Sequence, residues 1–123
     1  MTNVDIGKKL VELCQQGKNQ EAADTLYAKD IISVEAASGP NMPAETRGID
    51  AIHAKGKWWS DNHTVHSAVT EGPYPHGSDK FGVKFVYDVT NKPTNQRRKF
   101  EEIAVFTTKD GKIVREEFYY VTG

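Results

Sequence analysis

The first half of the chain repeats apolar residues at helical spacing. The first stripe consists of Ile6, Leu10, Leu13 and Cys14, at i, i+4, i+7 and i+8. This spacing predicts an amphipathic helix that ends at Gly17. A second helix is predicted over residues 20–28, capped by Asn19. A third is predicted over residues 48–62, with Ile49, Ile52, Gly56 and Trp59 along one side.

The remaining segments alternate apolar and polar residues, as strands do. Residues 31–37 are predicted as a strand between the second and third helices, followed by a loop at residues 38–46. After His63, strands are predicted at residues 64–71, 81–90, 98–108 and 112–121. Residues 72–77 are predicted as a turn-rich break. Asp110-Gly111 between the last two strands is a strong hairpin signal, because both residues tolerate tight turns.

This order of elements predicts an α+β domain with a curved, mostly antiparallel sheet wrapped around three N-terminal helices. With 123 residues and no linker, the whole chain, 1–123, is expected to form one domain. Three helices cover one face of such a sheet, and the twist of the sheet leaves a cavity between the two layers. Apolar residues on the outer face lead us to expect a homodimer through that face.

The composition indicates which partners and which cellular compartment to expect. The net charge is −1 and no long basic run occurs, so neither nucleic acid nor an anionic membrane is expected as the main partner. No apolar run approaches the length of a membrane-spanning helix. The single cysteine, Cys14, cannot form an internal disulfide and is interpreted as a core residue. Together these features predict a cytoplasmic protein.

Candidate acid–base groups concentrate in the final hairpin and near the second predicted strand. One hairpin strand carries Glu101 and Glu102, and the other carries Glu116 and Glu117. Because a strand alternates faces, one glutamate of each pair must point inward. His63 and His66 offer side chains that titrate near neutrality, in either a catalytic or a surface role. Residues three apart on a strand point to opposite faces, so no metal site is predicted there, and no cofactor motif occurs.

Three phrases in the same order resemble the SnoaL-like branch of the nuclear transport factor 2-like superfamily. They read ADTLYAKD at 23–30, RGIDAI at 47–52 and DGKIVR at 110–115. The resemblance implies a cone-shaped α+β barrel whose mouth holds a small, largely apolar ligand. The superfamily includes ketosteroid isomerase, limonene epoxide hydrolase, polyketide cyclases, dehydratases and proteins without catalysis, so the fold implies a pocket but no particular reaction.

Carried over position by position, the resemblance implies three acidic site residues. The general base of ketosteroid isomerase corresponds to Glu35, counted from YAKD, and its protonated oxyanion-hole aspartate corresponds to Glu102, four residues before Phe106. The catalytic aspartate of the epoxide hydrolase corresponds to Glu117. The isomerase's tyrosine is replaced by Leu10, and the hydrolase's arginine is replaced by Glu102. No relative's catalytic set is therefore complete in this chain.

Two functions follow as hypotheses. The first is a cofactor-free, metal-free isomerase, cyclase or dehydratase acting on a small carbonyl compound. Its predicted base is Glu35, and its predicted acid or positioning groups are Glu102 and Glu117, assisted by His63 or His66. The second is a non-catalytic ligand-binding or dimerisation module of the same fold. Under either hypothesis, the residues expected to line the ligand pocket are Tyr27, Ser33, Trp59, Tyr87 and Tyr119.

Overall fold

The structure, a computed structural model, describes residues 1–39 and 43–121. The central part of the predicted loop at 38–46, residues 40–42, lies outside this description. No helix in the described ranges is both long enough and apolar enough to cross a membrane.

Three helices form where the apolar stripes predict them. Helix α1 spans Asn3–Gln15, and its start is fixed by a capping box in which Thr2 and Asp5 bond reciprocally to each other's backbone. Helix α2 spans Asn19–Leu26, and α3 spans Ile49–Asn62. The predicted side-chain cap by Asn19 is wrong. Lys18 precedes α2 and makes no side-chain cap bond, while Asn19 is the first helical residue.

Six strands form a single mixed sheet in the order β2-β1-β6-β5-β4-β3. They span β1 Tyr27–Val34, β2 Glu45–Arg47, β3 His63–His76, β4 Lys80–Asn91, β5 Gln96–Lys109 and β6 Lys112–Tyr119. The β1–β6 pair is parallel and the other pairs are antiparallel. The sheet does not close, so β2 and β3 are its edges.

The core lies between the three helices and the concave face of this sheet. It joins Ile6, Leu10 and Leu26 of the helices to Ile31, Phe81, Val83, Phe106 and Ile113 of the strands, all nearly or completely buried. The clean alternation predicted along β4 is confirmed, because every second residue from Phe81 to Val89 points inward. The α+β class and the curved sheet around three helices are likewise confirmed.

Two predicted non-strand segments at the edges of the sheet are wrong. Strand β2 was expected to be loop; only three residues long, it pairs with β1 between Ile32 and Arg47 and between Val34 and Glu45. Strand β3 runs through the predicted break at residues 72–77, with a register irregularity between Glu71 and Tyr74. Both differences reflect backbone pairing with a neighbouring strand, which local composition does not reveal.

A β-bulge in β6 corrects the predicted orientation of the final strand. Thr108 pairs with Ile113 whereas the adjacent Thr107 pairs with Arg115, so Val114 is the extra residue of the bulge. One extra residue reverses the side-chain parity for the rest of the strand. Regular alternation from the inward Ile113 would place Glu117 and Tyr119 on the inner face. Because of the bulge, Glu116 and Phe118 lie there instead.

Candidate functional site

Three carboxyl groups point into the interior from different elements of the sheet, and we call them the interior carboxyl cluster: Glu35, Glu102 and Glu116. Glu35 follows the end of β1, Glu102 lies on β5 and Glu116 lies on β6. Glu116 is directly opposite the buried Phe106 across the β5–β6 pair, which places both side chains on the inner face. The cluster is therefore assembled by strands that are distant in sequence.

Lys55 of α3 reaches into this cluster and forms an ion pair with Glu35. Its Nζ lies 2.6 Å from Glu35 Oε1, and the two side chains are only 17% and 14% exposed. Lys55 also donates to the hydroxyl of the completely buried Ser33 at 3.1 Å. Its Nζ lies 5.2 Å from the centroid of the Phe118 ring, close enough for a cation–π contact.

Tyr120 completes the surroundings of Glu35. Its hydroxyl donates to Glu35 Oε2 at 3.0 Å, so each oxygen of this carboxylate has a partner. Partial burial and then the nearby Glu35 charge raise the pKa of Tyr120 to about 12, because both disfavour a phenolate. Glu35 is thus a fixed anion between an ammonium and a phenol.

Glu102 differs from Glu35 in having no partner. Among the described residues, no donor or cation bonds to its carboxyl group. Every fully buried polar side-chain atom in that part of the chain has a partner, so the oxygens of Glu102 must be within reach of solvent or a ligand. Burial, followed by the Glu35 charge, raises the pKa of Glu102 to about 7 against the opposing effect of Lys55. Its protonation therefore changes near neutral pH.

Glu116 is the most enclosed member, at 5% exposure. The hydroxyl of Tyr27 donates to its Oε2 at 2.8 Å. Burial raises the pKa of Glu116, while the bond from Tyr27, the charge of Lys55 and a bond from Ser33 act in the opposite direction. Burial, and to a lesser extent Glu116, also raise the pKa of the Cys14 thiol to about 12. Cys14 is therefore not a thiolate nucleophile, which agrees with its interpretation from the sequence as a core residue.

An aromatic wall borders the cluster on the β4 side. His63 stacks on Trp59 with ring centroids 4.4 Å apart, and its Nδ1 lies 2.8 Å from the Trp59 carbonyl. Tyr87 lies 5.6 Å from Trp59 and 5.4 Å from Phe100, centroid to centroid. Burial and then the nearby Glu102 raise the pKa of Tyr87. Tyr87 thus lies near Glu102, and Trp59 packs against both Tyr87 and His63.

Three of the expected site residues lie away from the interior. Glu117 is on the outer face, where it accepts a bond from Arg115 Nε at 2.9 Å. Tyr119 is 55% exposed and pairs with the outward Ile103. The β6 bulge corrects the expected inward orientation of Glu117 and Tyr119 and turns Glu116 and Phe118 inward instead, although Glu117 and Tyr119 both line the open cleft described below. His66 is exposed and its Nε2 contacts the hydroxyl of Thr90 at 2.6 Å.

An open cleft of about 320 Å³ adjoins the cluster at the ends of β1 and β6. Its walls are formed by residues 34–36 and 117–120, so they include Glu35, Tyr120 and two of the expected site residues, Glu117 and Tyr119. Within the residues that the structure describes, no three His, Cys, Asp or Glu side chains group closely enough to hold a metal ion. The described site thus offers carboxyl, ammonium, phenol and aromatic groups.

Sequence reasoning missed Lys55, Glu116 and Tyr120, and of these Lys55 alone carried a signal. Lys55 lies three residues after Ile52 and four before Trp59, so the helical stripe already places it on the inner face. Tyr120 is in phase with Phe118, but only once the parity change at Val114 is known. The inward orientation of Glu116 likewise follows only from the bulge, and the bulge cannot be read from the alternation of residues.

Comparison with known proteins identifies the family. The family model of the SnoaL-like domain matches residues 1–120. The chain belongs to the SnoaL-like family. A solved structure described as a candidate SnoaL-like polyketide cyclase from Mesorhizobium loti is 44% identical, with a TM-score of 0.92, and the match covers 98% of this chain and 100% of that one.

Two further solved structures share the fold alone. A Xanthomonas campestris protein of unknown function with a cystatin-like fold is 15% identical, with a TM-score of 0.79 over 99% of this chain and 92% of that one. A candidate isomerase from Bacillus subtilis is 19% identical, with a TM-score of 0.69 over 95% and 81%. No curated protein matches the chain.

Proposed function

We propose that this SnoaL-like protein catalyses proton transfer at the carbon next to the carbonyl group of a small, neutral compound, as an isomerase, cyclase or dehydratase. The observation that carries the proposal is the unpartnered Glu102 carboxyl group, half-buried near Tyr87. A general acid–base is most efficient when its pKa lies near the working pH, and that of Glu102 is raised to about 7.

The other carboxyl groups support a division of labour. Glu35 is paired with Lys55 and Tyr120, and Glu116 accepts from Tyr27, so both are fixed by neighbours. Glu102 alone in the cluster is free to gain and lose a proton without breaking a bond. Pairing of all three carboxyl groups would have favoured a binding module. The unpaired member therefore supports catalysis over the non-catalytic alternative.

The kind of substrate follows from charge and size. One ammonium among three carboxyl groups disfavours a carboxylate or phosphate ligand, whose charge is localised, so an uncharged carbonyl compound whose oxygen can lie against Lys55 is expected. The cleft of about 320 Å³ is at the small end of ligand pockets and suits a compound of one or two rings. Proton removal gives an enolate, and return of the same proton from Glu102 to another carbon balances an isomerisation.

Exchange of hydrogen for deuterium tests this proposal without knowledge of the natural substrate. Small cyclic ketones, including 2-cyclohexenone, are incubated with the protein in D₂O, and loss of the α-proton signal is followed by NMR. We expect exchange above the buffer rate, rising with pH through about 7 as Glu102 ionises. Glu102→Gln should lower the rate about 10²- to 10⁴-fold.

Glu101→Gln is the matched control, because Glu101 is the neighbouring residue on the outer face and lies 3.8 Å from Lys84. Its exchange rate should equal that of the wild type. Absence of exchange with every ketone would refute the proposed chemistry. A larger loss in Glu35→Gln than in Glu102→Gln would make Glu35 the base, as the resemblance implied.

A further inference from the structure

Lys55 places a positive charge where the proposed reaction would develop a negative one. Its Nζ is held within the interior carboxyl cluster by Glu35 at 2.6 Å and by Ser33 at 3.1 Å. Ile103 pairs with Tyr119, so the register places Glu102 beside Tyr120. The hydroxyl of Tyr120 bonds to the Glu35 carboxylate that holds Lys55. The charge of Lys55 also lowers the pKa of Glu102 against the effect of burial. The ammonium and the unpartnered carboxyl group therefore border one region.

The bonding of Lys55 leaves room for a ligand oxygen. An ammonium has three donor hydrogens. Two are directed to Glu35 and Ser33, and among the described residues no third oxygen or nitrogen accepts from it. The third side is near the Phe118 ring, which attracts the cation but is a weaker partner than an oxygen. Phe118 also lines the open cleft, and 17% of the Lys55 side chain is exposed, so this side of the ammonium adjoins the cleft.

We propose that Lys55 is a catalytic residue that donates a hydrogen bond to the carbonyl oxygen of the substrate and stabilises the enolate oxygen formed when Glu102 removes the α-proton. This inference rests on the proposed function and adds the group that holds the developing charge. The C–H bond breaks, its electron pair forms the enolate, and the negative charge comes to lie on the oxygen beside Lys55. Reprotonation from Glu102 returns both groups to their starting states.

The contacts of Lys55 compensate for its partial burial. Glu35 and Ser33 take the place of water that its ammonium group has lost. Tyr120 in turn fixes Glu35 from the other side. Lys55 is thus aligned before the substrate arrives, and such preorganised donors give the largest rate effects at developing oxyanions.

A phenolate tests the charge-holding role separately from catalysis, because its oxygen carries a delocalised negative charge as an enolate oxygen does. The probe is 4-nitrophenol, whose two protonation states differ in absorbance. Titration with wild-type protein should show tighter binding of the phenolate than of the phenol. Lys55→Met should weaken phenolate binding by roughly 10- to 100-fold, the effect expected of one charge-assisted hydrogen bond, with little change for the phenol.

Lys57→Met is the matched control, because Lys57 lies on the same helix but pairs with Asp61 at the surface. It should bind both forms like the wild type. Lys55→Met leaves Glu35 without its cation, so the double variant Lys55→Met/Glu35→Gln removes both charges and guards against loss of folding. It should show the same loss of phenolate preference. Wild-type protein without this preference, or either Lys55 variant retaining it, would overturn the inference.

The exchange assay separates this inference from the proposed function. With 2-cyclohexenone, Lys55→Met should lower kcat about 10²- to 10³-fold, as loss of an oxyanion donor does. Phenolate binding that depends on Lys55, without any exchange in the wild type, would refute the proposed function alone. Exchange that proceeds at the wild-type kcat in Lys55→Met would refute the role of Lys55 alone.

Discussion

Replacing Glu102 with glutamine should stabilise the protein at neutral and alkaline pH. The folded protein raises the pKa of Glu102 from its ordinary value of 4.5 to about 7, chiefly by burial. Between these two values the folded state holds the proton more tightly than the unfolded state. The free energy of unfolding therefore falls as pH rises from about 4.5 to about 7, and the loss is complete above that range.

The size of the effect follows from the difference between the two pKa values. Each pH unit is worth about 1.4 kcal/mol, so a rise from 4.5 to about 7 corresponds to about 3 kcal/mol. Solvent can reach the Glu102 oxygens, and screening reduces this figure to about 2 kcal/mol. Glutamine does not titrate, so Glu102→Gln should match the wild type near pH 4.5 and exceed its stability by about 2 kcal/mol at pH 8.

Urea unfolding followed by the fluorescence of Trp58 and Trp59 measures this difference at pH 4.5, 6 and 8. Glu101→Gln again serves as the control, because the Glu101 side chain is 66% exposed and should leave the pH profile unchanged. If the free energies of unfolding of the wild type and Glu102→Gln differ by the same amount at all three pH values, the raised pKa of Glu102 is refuted. Such a result would also remove the main support for Glu102 as the proton-transfer group.

Three further changes test the packing, the buried hydrogen bond and the outer face. Gly7→Ala should destabilise the protein by about 1 kcal/mol or more in urea, because the new Cβ would lie 2.7 Å from Pro73 Cβ, outweighing the helix preference of alanine. Tyr27→Phe removes the donor to Glu116 and should cost about 1–3 kcal/mol, measured as a lower Tm. We propose a homodimer through the outer sheet face, so Ile103→Asp should yield monomers in light scattering.

Each of these changes has a clear contrary result. Gly39→Ala is the control for packing, since among the described residues, chain neighbours aside, no atom lies within 4 Å of a Cβ there, and equal stability of the two alanine variants would contradict the close contact. An unchanged Tm in Tyr27→Phe would show that Glu116 does not need this donor. A wild-type protein that is monomeric at all concentrations would refute the dimer.

The fold was largely predictable because its strongest patterns are local. The α1 stripe, the alternation along β4 and the Asp110-Gly111 turn each depend on residues close in sequence. Asp110 and Gly111 indeed have φ values of 53° and 79°, as the hairpin requires. The short strand β2 escaped prediction because its formation depends on pairing with β1 rather than on its own three residues.

The candidate site was less predictable because one extra backbone residue decides it. Local alternation cannot distinguish a regular β6 from a bulged one, yet the bulge at Val114 exchanges Glu117 for Glu116 on the inner face. Glu35 and Glu102 were found by counting from YAKD and from Phe106, and no register irregularity separates Glu102 from Phe106. Lys55 lies on the apolar side of α3 but was not predicted as a site residue, because charged residues on helices usually face solvent.

Stability would favour glutamine at position 102, whereas the proposed chemistry requires glutamate. This conflict distinguishes a functional carboxyl group from a structural one. Folding alone would be served better by glutamine, since the unpartnered carboxyl group destabilises the protein as it ionises. Glu35 and Glu116 show that this interior can supply partners for a carboxyl group. A site that pairs two carboxyl groups and leaves the third free, with a pKa of about 7, has the properties of proton-transfer catalysis. The Glu102→Gln variant should therefore gain stability and lose exchange activity together, whereas a purely structural Glu102 would change stability alone.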